Sequence, residues 1–190
     1  VGVGWILVTG LGALPFYYCD ILSPVDAFFE SMSGFTTTGA TVVVDIEGLP
    51  KSIHFWRCFT HWLGGIGIVL IFLAVLPYLG AGGRQLFRSE SSRPDPSGHS
   101  PRIGATVSML YRVYLGLTFI LIILLMSAGM NLHEAMCHTF STLASGGFST
   151  RQASIGAYDS VAIEMILVVF MILAGTNFGL LFVLYRGHWK

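Results

Sequence analysis

The sequence predicts an all-α membrane protein made of two tandem repeats, each a helix, a short re-entrant helix with a polar loop, and a second helix. Three observations carry this. Of 190 residues, 54% are hydrophobic and only 11% charged, too apolar and too charge-poor for a soluble domain of this size. Four stretches carry no charge, Val1 to Tyr18, Trp62 to Leu79, Val113 to Met130 and Met165 to Tyr185, against the roughly 17 to 25 residues that cross the hydrocarbon. Within each pair of stretches lies a short segment ending in a run of hydroxyls and glycines, and the two short segments align with each other.

The first stretch starts without Met or a basic flank, unlike a secretory signal peptide. It reads as a helix entered part-way, so the chain is expected to be a fragment. A buried helix of a soluble protein normally shows a polar stripe, and these four hardly do. The first short segment, Val25 to Phe35, runs into "SMSGFTTTGATVV" (Ser31 to Val43), and the second, His133 to Leu143, runs into "ASGGFST". At ~1.5 Å rise per residue each short segment covers only about half the bilayer, so it must enter and return on the same side.

The linker from Gly80 to Thr106 carries Arg84, Arg88, Arg93 and Arg102 against Glu90 and Asp95. Arg112 follows at its edge, and Arg186 and Lys190 lie at the C-terminal end. The positive-inside rule makes those ends cytoplasmic. The opposite side collects Asp20, Asp26, Glu30, Asp45, Glu47, Glu134, Asp159 and Glu164, with Lys51, Arg57 and Arg151 as its cations. An acidic outer mouth concentrates cations. The resulting organisation is a first repeat over 1–79, a Pro/Ser-rich cytoplasmic linker over 80–106 and a second repeat over 107–190.

An offset of 108 positions lays "DAFFESMSGFTTTGAT" (Asp26 to Thr41) on "EAMCHTFSTLASGGFS" (Glu134 to Ser149) without a gap. Ala27/Ala135, Ser33/Ser141 and Gly39/Gly147 are identical, and Asp26/Glu134, Ser31/Thr139 and Thr41/Ser149 are conservative. Each window opens on an acid suited to a helix N-terminus and closes on a Gly-rich hydroxyl run. At an offset two residues larger, "LGGIGIVLIF" (Leu63 to Phe72) meets "LAGTNFGLLF" (Leu173 to Phe182). This pattern predicts a duplication, both copies in the same orientation because each crosses the membrane twice.

Non-helical backbone at membrane depth survives only where protein buries it or where it lines an aqueous path. A potassium filter is such a case: backbone carbonyls, aided by Thr hydroxyls, replace the water shell of K+, and glycine allows the required dihedrals. The C-terminal end of each short helix, carrying partial negative charge, would then favour a cation.

"FTTTGATV" followed by "FWRCFTHWLGGIGIVLI", and "FSTLASGGFST" followed by "FMILAGTNFG", resemble the first and second pore repeats of the TrkH/KtrB (Trk/Ktr/HKT) cation transporter family, closest to its TrkH branch. The resemblance covers essentially the whole chain. It implies a potassium-channel-like pore architecture and K+ uptake as the ion-translocating subunit of a Trk-type system in the bacterial inner membrane. It also implies simple filters with one key glycine per repeat, here Gly39 and Gly147. Thr37, Thr38, Ser145 and Gly146 would then supply neighbouring carbonyls to K+, with Thr36 and Ala144 supporting them. The family has four such repeats and this chain has two, so the third-repeat gating loop and the fourth-repeat arginine have no counterpart here. A homodimer and a cytoplasmic nucleotide-binding regulatory subunit of the TrkA/KtrA type are further implications of the resemblance alone. No cofactor other than the transported ion and no nucleic-acid partner is implied.

Other features invite rival readings. "HEAMCH" (His133 to His138) imitates the HExxH zinc signature, but its spacing is one residue too long. An i,i+5 pair lies roughly 140° apart on a helix and does not share a metal. Arg57 and His61 form an i,i+4 pair near the outer end of the second spanning helix, with Glu164 at the matching level of the fourth. A charge at membrane depth usually has a partner. An Arg57–Glu164 contact bracing the two filters is one reading, a role in ion selectivity another, and plain snorkelling a third. Gly64, Gly65 and Gly67 suit close helix packing as well as gating; Asn177 suits a hydrogen bond between helices, and Gly175 and Gly179 a bend. Cys19, Cys58 and Cys137 have no CxxC spacing and behave as small apolar residues. The alternatives to permeation are a membrane-embedded enzyme using His61, His138, Glu30 or Ser33, for which no nucleophile and base stand at credible spacing, and a non-conducting scaffold, which leaves the polar loops without a purpose.

Overall fold

The computed structural model describes residues 2–75 and 103–176. Six α-helices are present there and no strand: α1 (Gly2–Tyr18), α2 (Pro24–Phe35), α3 (Lys51–Val75), α4 (Ile103–Ser127), α5 (Leu132–Leu143) and α6 (Val161–Gly175), with a 3-10 turn at Ser154–Tyr158 before α6. The short helices α2 and α5 match the segments expected from sequence to within a residue at their starts.

Their boundaries have a local cause. Ser23 caps α2, its hydroxyl accepting the Asp26 N–H at 3.3 Å, with Pro24 in the first turn. Asn131 caps α5 in the same way, its side-chain carbonyl accepting the Glu134 N–H at 3.0 Å. Capping residue and acid stand at equivalent positions of the two repeats, and the acid also suits the positive end of the helix dipole.

Helix α3 starts at Lys51, before the charge-free stretch at Trp62, and it includes the Arg57–His61 pair that the sequence placed near the helix end; Arg57 is buried there against a partner (below). Helix α4 starts at Ile103, inside the stretch assigned to the linker. Within the described residues, Val107–Ser127 is long and apolar enough to cross a membrane, and Gly2–Tyr18 and Val161–Gly175 are shorter apolar helices. Most of the linker, with Arg84, Arg88, Arg93 and Arg102, lies outside the described residues, as do Asn177 and Gly179.

Helix α3 is the shared element. It packs on α1 and α2 of its own repeat and on α4 and α5 of the next, while α5 is further enclosed by α4 and α6. Against α1 and α2, Ala13, Phe16, Ala27 and Ile53 form one apolar cluster. The Trp56 indole N–H donates to the Gly12 carbonyl at 2.9 Å, and the Ser31 hydroxyl to the Thr9 carbonyl at 2.8 Å. On the other side, Tyr114, Leu121, Leu125, Leu143, Ile163, Leu167 and Phe170 lock α4, α5 and α6 together. Between the repeats, the rings of Phe55, Phe59 and Trp62 on α3 surround Phe140 of α5 at centroid distances of 5.7 to 5.8 Å. Cys58 and Cys137 are buried in this seam as free thiols, and Cys19 is exposed.

Candidate ion-filter site

Both short helices end in the same turn. In α2 the Thr37 N–H donates to the Gly34 carbonyl at 3.0 Å and the Thr38 N–H to Ser33 at 2.9 Å. In α5 the Ser145 N–H donates to Thr142 at 3.0 Å and the Gly146 N–H to Ser141 at 2.8 Å. These are paired Schellman bonds, which require a left-handed residue after the cap, usually glycine. Here that residue is Thr37 or Ser145, each at φ 55°. A side chain in this conformation costs about 1–2 kcal/mol, and such strain persists only where surrounding bonds over-determine it.

The next two residues repeat as well. Gly39 (φ 77°) and Gly147 (φ 97°) are again left-handed, whereas Thr38 and Gly146 between them are not. A strand of uniform φ points successive carbonyls to opposite sides; an alternation of hand allows them to face one side, as a carbonyl-lined ion path needs. Thr38, Ser145 and Gly147 are exposed, Thr36, Thr37 and Gly39 half-buried, and Ala144 and Gly146 buried. The Thr36 hydroxyl donates to the Met32 carbonyl at 2.7 Å and lies 2.8 Å from the Thr38 hydroxyl. The Gly147 N–H donates to the Ser141 hydroxyl at 2.9 Å. The two loops also meet, since a Cβ built on Gly39 would run into the Gly146 carbonyl oxygen.

Behind the loops stands one face of α3, with Arg57, Thr60, His61, Gly64 and Gly65 recurring at helical spacing. Gly64 lies against the Phe35 carbonyl at the end of α2. A Cβ on Gly65 would come within 2.9 Å of the Tyr114 hydroxyl and 3.1 Å of the Ala144 Cβ at the end of α5. Adjacent glycines therefore bring one helix close to the C-terminal turns of both short helices; Gly67 faces open space. His61 stacks on Phe148 with ring centroids 4.1 Å apart, and its Nδ1 lies 3.3 Å from the Ser141 hydroxyl. Its ring also fills the space that a Cβ on Gly146 would need.

Arg57 and Glu30 are both buried, at 1% and 0% side-chain exposure, and pair through Nε at 2.8 Å. Glu30 also accepts the Thr41 hydroxyl at 2.9 Å and the Val42 N–H at 3.1 Å. The other guanidinium nitrogens reach the Thr41 hydroxyl at 3.1 Å and the Ser149 carbonyl at 3.5 Å, and Cζ sits 4.3 Å above the Phe148 ring. Arg57 does brace the two loops, but its carboxylate partner is Glu30 and not Glu164. Glu164 is exposed on α6, beside Ser145, Gly146 and Gly147 in the cleft flanking the second loop. The expected pair fails because Glu30, one of the acids assigned to the outer side, points from α2 into the interior and meets Arg57 first.

The second repeat places its ion pair differently. Arg151 and Glu134 meet at 2.8 Å at the N-terminal end of α5, and the Arg151 side chain is 43% exposed. The hydrogen bond and charge of Glu134 raise the Arg151 pKa above its ordinary value. His133 bonds the Lys51 carbonyl at 2.9 Å and His138 the Tyr158 hydroxyl at 3.1 Å, so the two imidazoles of "HEAMCH" serve separate partners. Glu30, Thr41, Phe148 and Ser149 are the site residues that sequence reasoning missed as a group. The available signal was electrostatic: an acid on a short membrane-depth helix and a guanidinium at membrane depth in the same repeat.

Half-length helices, duplicated left-handed turns and a buried charged brace between apolar helices define a membrane protein of the re-entrant pore-loop class. The chain belongs to the TrkH family of cation transport proteins, whose profile matches residues 1–188. It is 46% identical to the Trk system potassium uptake protein TrkH of Vibrio parahaemolyticus, over 98% of this chain and 40% of that protein. It is 44% identical to the protein of the same name from Escherichia coli K12, over 97% of this chain and 39% of that one. The crystal structure of the potassium transporter TrkH from Vibrio parahaemolyticus superposes with a TM-score of 0.83 at 41% identity, over 98% of this chain and 37% of that chain. The chain thus spans about two fifths of the length of the curated relatives it matches. The family is one of transporters, which sets aside the membrane-enzyme alternative.

Proposed function

We propose that this chain contributes two selectivity loops to a K+ uptake pore in the bacterial inner membrane, as part of the ion-translocating subunit of a Trk-type system. The observation that carries the reading is the repeated alternation of backbone hand at Thr37–Thr38–Gly39 and Ser145–Gly146–Gly147, each at the C-terminal end of a half-membrane helix. Carbonyls from these six residues face K+, Thr36 and Ala144 cap the helices behind them, and the negative helix ends favour a cation. The filter mouths face outward, and the linker and C-terminal end face the cytoplasm. The printed function of the relatives, potassium uptake within a Trk system, supports the ion assignment. We further propose, from the family resemblance of the sequence alone, that the subunit works as a homodimer under a cytoplasmic nucleotide-binding regulator of the TrkA/KtrA type.

Rb+ uptake with Na+ competition, in cells lacking their own potassium uptake and expressing the full-length parent protein, tests the reading. Rb+ accumulation that K+ suppresses and Na+ does not is the expected outcome; uptake with no preference between K+ and Na+ would overturn it.

A further inference from the structure

Arg57 reaches loops of two different repeats from a single side chain. Its contacts are Thr41 in the first loop, and the Ser149 carbonyl and Phe148 ring in the second. Its direction is fixed from behind by Glu30, which also holds the first loop through the Thr41 hydroxyl and the Val42 N–H. Thr41 lies two residues past Gly39, and Ser149 two residues past Gly147. The pair therefore grips both loops at equivalent points, just beyond the left-handed glycines.

Resting on the filter reading above, we propose that Glu30 and Arg57 are positioning residues for ion selection, setting the separation of the first and second filter loops. A carbonyl-lined site discriminates between cations by the spacing and field of its oxygens, so a strut that ties two loops together bears on selectivity without touching the ion. Arginine suits the task because its planar fork donates in several fixed directions at once. Lysine, a point charge on a flexible stem, does not. A pair serving folding alone needs only mutual charge compensation, since a buried ion pair is by itself weak evidence of stabilisation. The conservative exchange therefore separates the two roles.

Arg57→Lys, Glu30→Gln and the surface control Arg151→Gln are compared in the full-length parent protein, with the amount of protein in the membrane and the Rb+ to Na+ uptake ratio both measured. Arg57→Lys is expected to reach the membrane and to lower the ratio about tenfold, the size of one lost hydrogen bond to a charged group. Glu30→Gln shifts the ratio in the same direction, and Arg151→Gln leaves it unchanged. A ratio for Arg57→Lys within about twofold of the unsubstituted protein, at equal membrane level, would overturn the proposal. Where Arg57→Lys does not accumulate, Glu30→Gln combined with Arg57→Gln removes both buried charges. A lowered ratio then supports the positioning role, while an unchanged ratio, or failure of this variant to accumulate as well, overturns it in favour of a purely structural one. Absence of Rb+ uptake by the unsubstituted protein would instead sink the filter reading, and this inference with it.

Discussion

Gly39 and Gly147 occupy equivalent places but differ in their surroundings, and a serine at each should therefore fail differently. Both positions are left-handed, where a side chain costs about 1–2 kcal/mol. Around Gly147 a Cβ meets nothing within 4 Å, whereas at Gly39 it collides with the Gly146 carbonyl of the other loop. Gly147→Ser should lower the Rb+ to Na+ uptake ratio with near-normal protein in the membrane. Gly39→Ser should lower both the ratio and the protein level, because the two loops must part. Equal ratios for both variants and the parent would count heavily against the filter assignment. The duplication paired the two glycines in the sequence, and the family resemblance gave them their proposed role. The left-handed Thr37 and Ser145 were not legible, because a residue with a side chain gives no sequence signal for that conformation; here the paired Schellman bonds impose it. Glu30 was equally hard to place, since its partner lies 27 residues away on another helix, beyond any helical periodicity.

At the scale of elements, the short helices were the most legible feature. Each begins on a side-chain cap with an acid three residues on, and each runs into hydroxyls and glycines, signals that act within a few residues. Helix α3 was legible as far out as the Arg57–His61 pair, but its extension to Lys51 and the burial of Arg57 against Glu30 depend on a partner from another helix. The use of its glycines depends on tertiary contact, which a run such as "LGGIG" does not disclose. Gly64→Ala drives a methyl into the Phe35 carbonyl, so α3 must move away from the C-terminal turn of α2. Gly67→Ala meets open space and gains up to about 1 kcal/mol of helix propensity. Thermal unfolding of the detergent-purified parent should therefore show a lower midpoint for Gly64→Ala and an unchanged or higher one for Gly67→Ala. The reverse order would mean that α3 does not dock through this face.

For the whole molecule, the charge distribution in the sequence predicts an orientation that labelling can check. In a background without Cys19, Cys58 and Cys137, single cysteines at Glu47 and Ala157 should react with an impermeant thiol reagent outside intact cells. One at Ser92 should be protected until the membrane is permeabilised, and labelling of Ser92 in intact cells would invert the orientation. Counting gives a further expectation. A carbonyl ring around a dehydrated cation uses about four loops, and the described residues supply two, at Thr36 to Thr41 and Ala144 to Ser149. The two touch along one side, at Gly39 and Gly146, while Ser145 and Gly147 stay exposed, leaving a face open for further loops. Two repeats here fill about two fifths of the length of the relatives, which leaves room for two more of the same size in one polypeptide. That route supplies the missing loops without calling on a second copy around the same pore. The 190-residue chain, reconstituted in liposomes at low protein density, should therefore carry no K+-selective flux, and the full-length parent should carry it. Selective flux from a crosslinked dimer of the 190-residue chain would show that two copies close the ring, and selective flux from a demonstrated monomer would remove the need for a four-loop ring altogether.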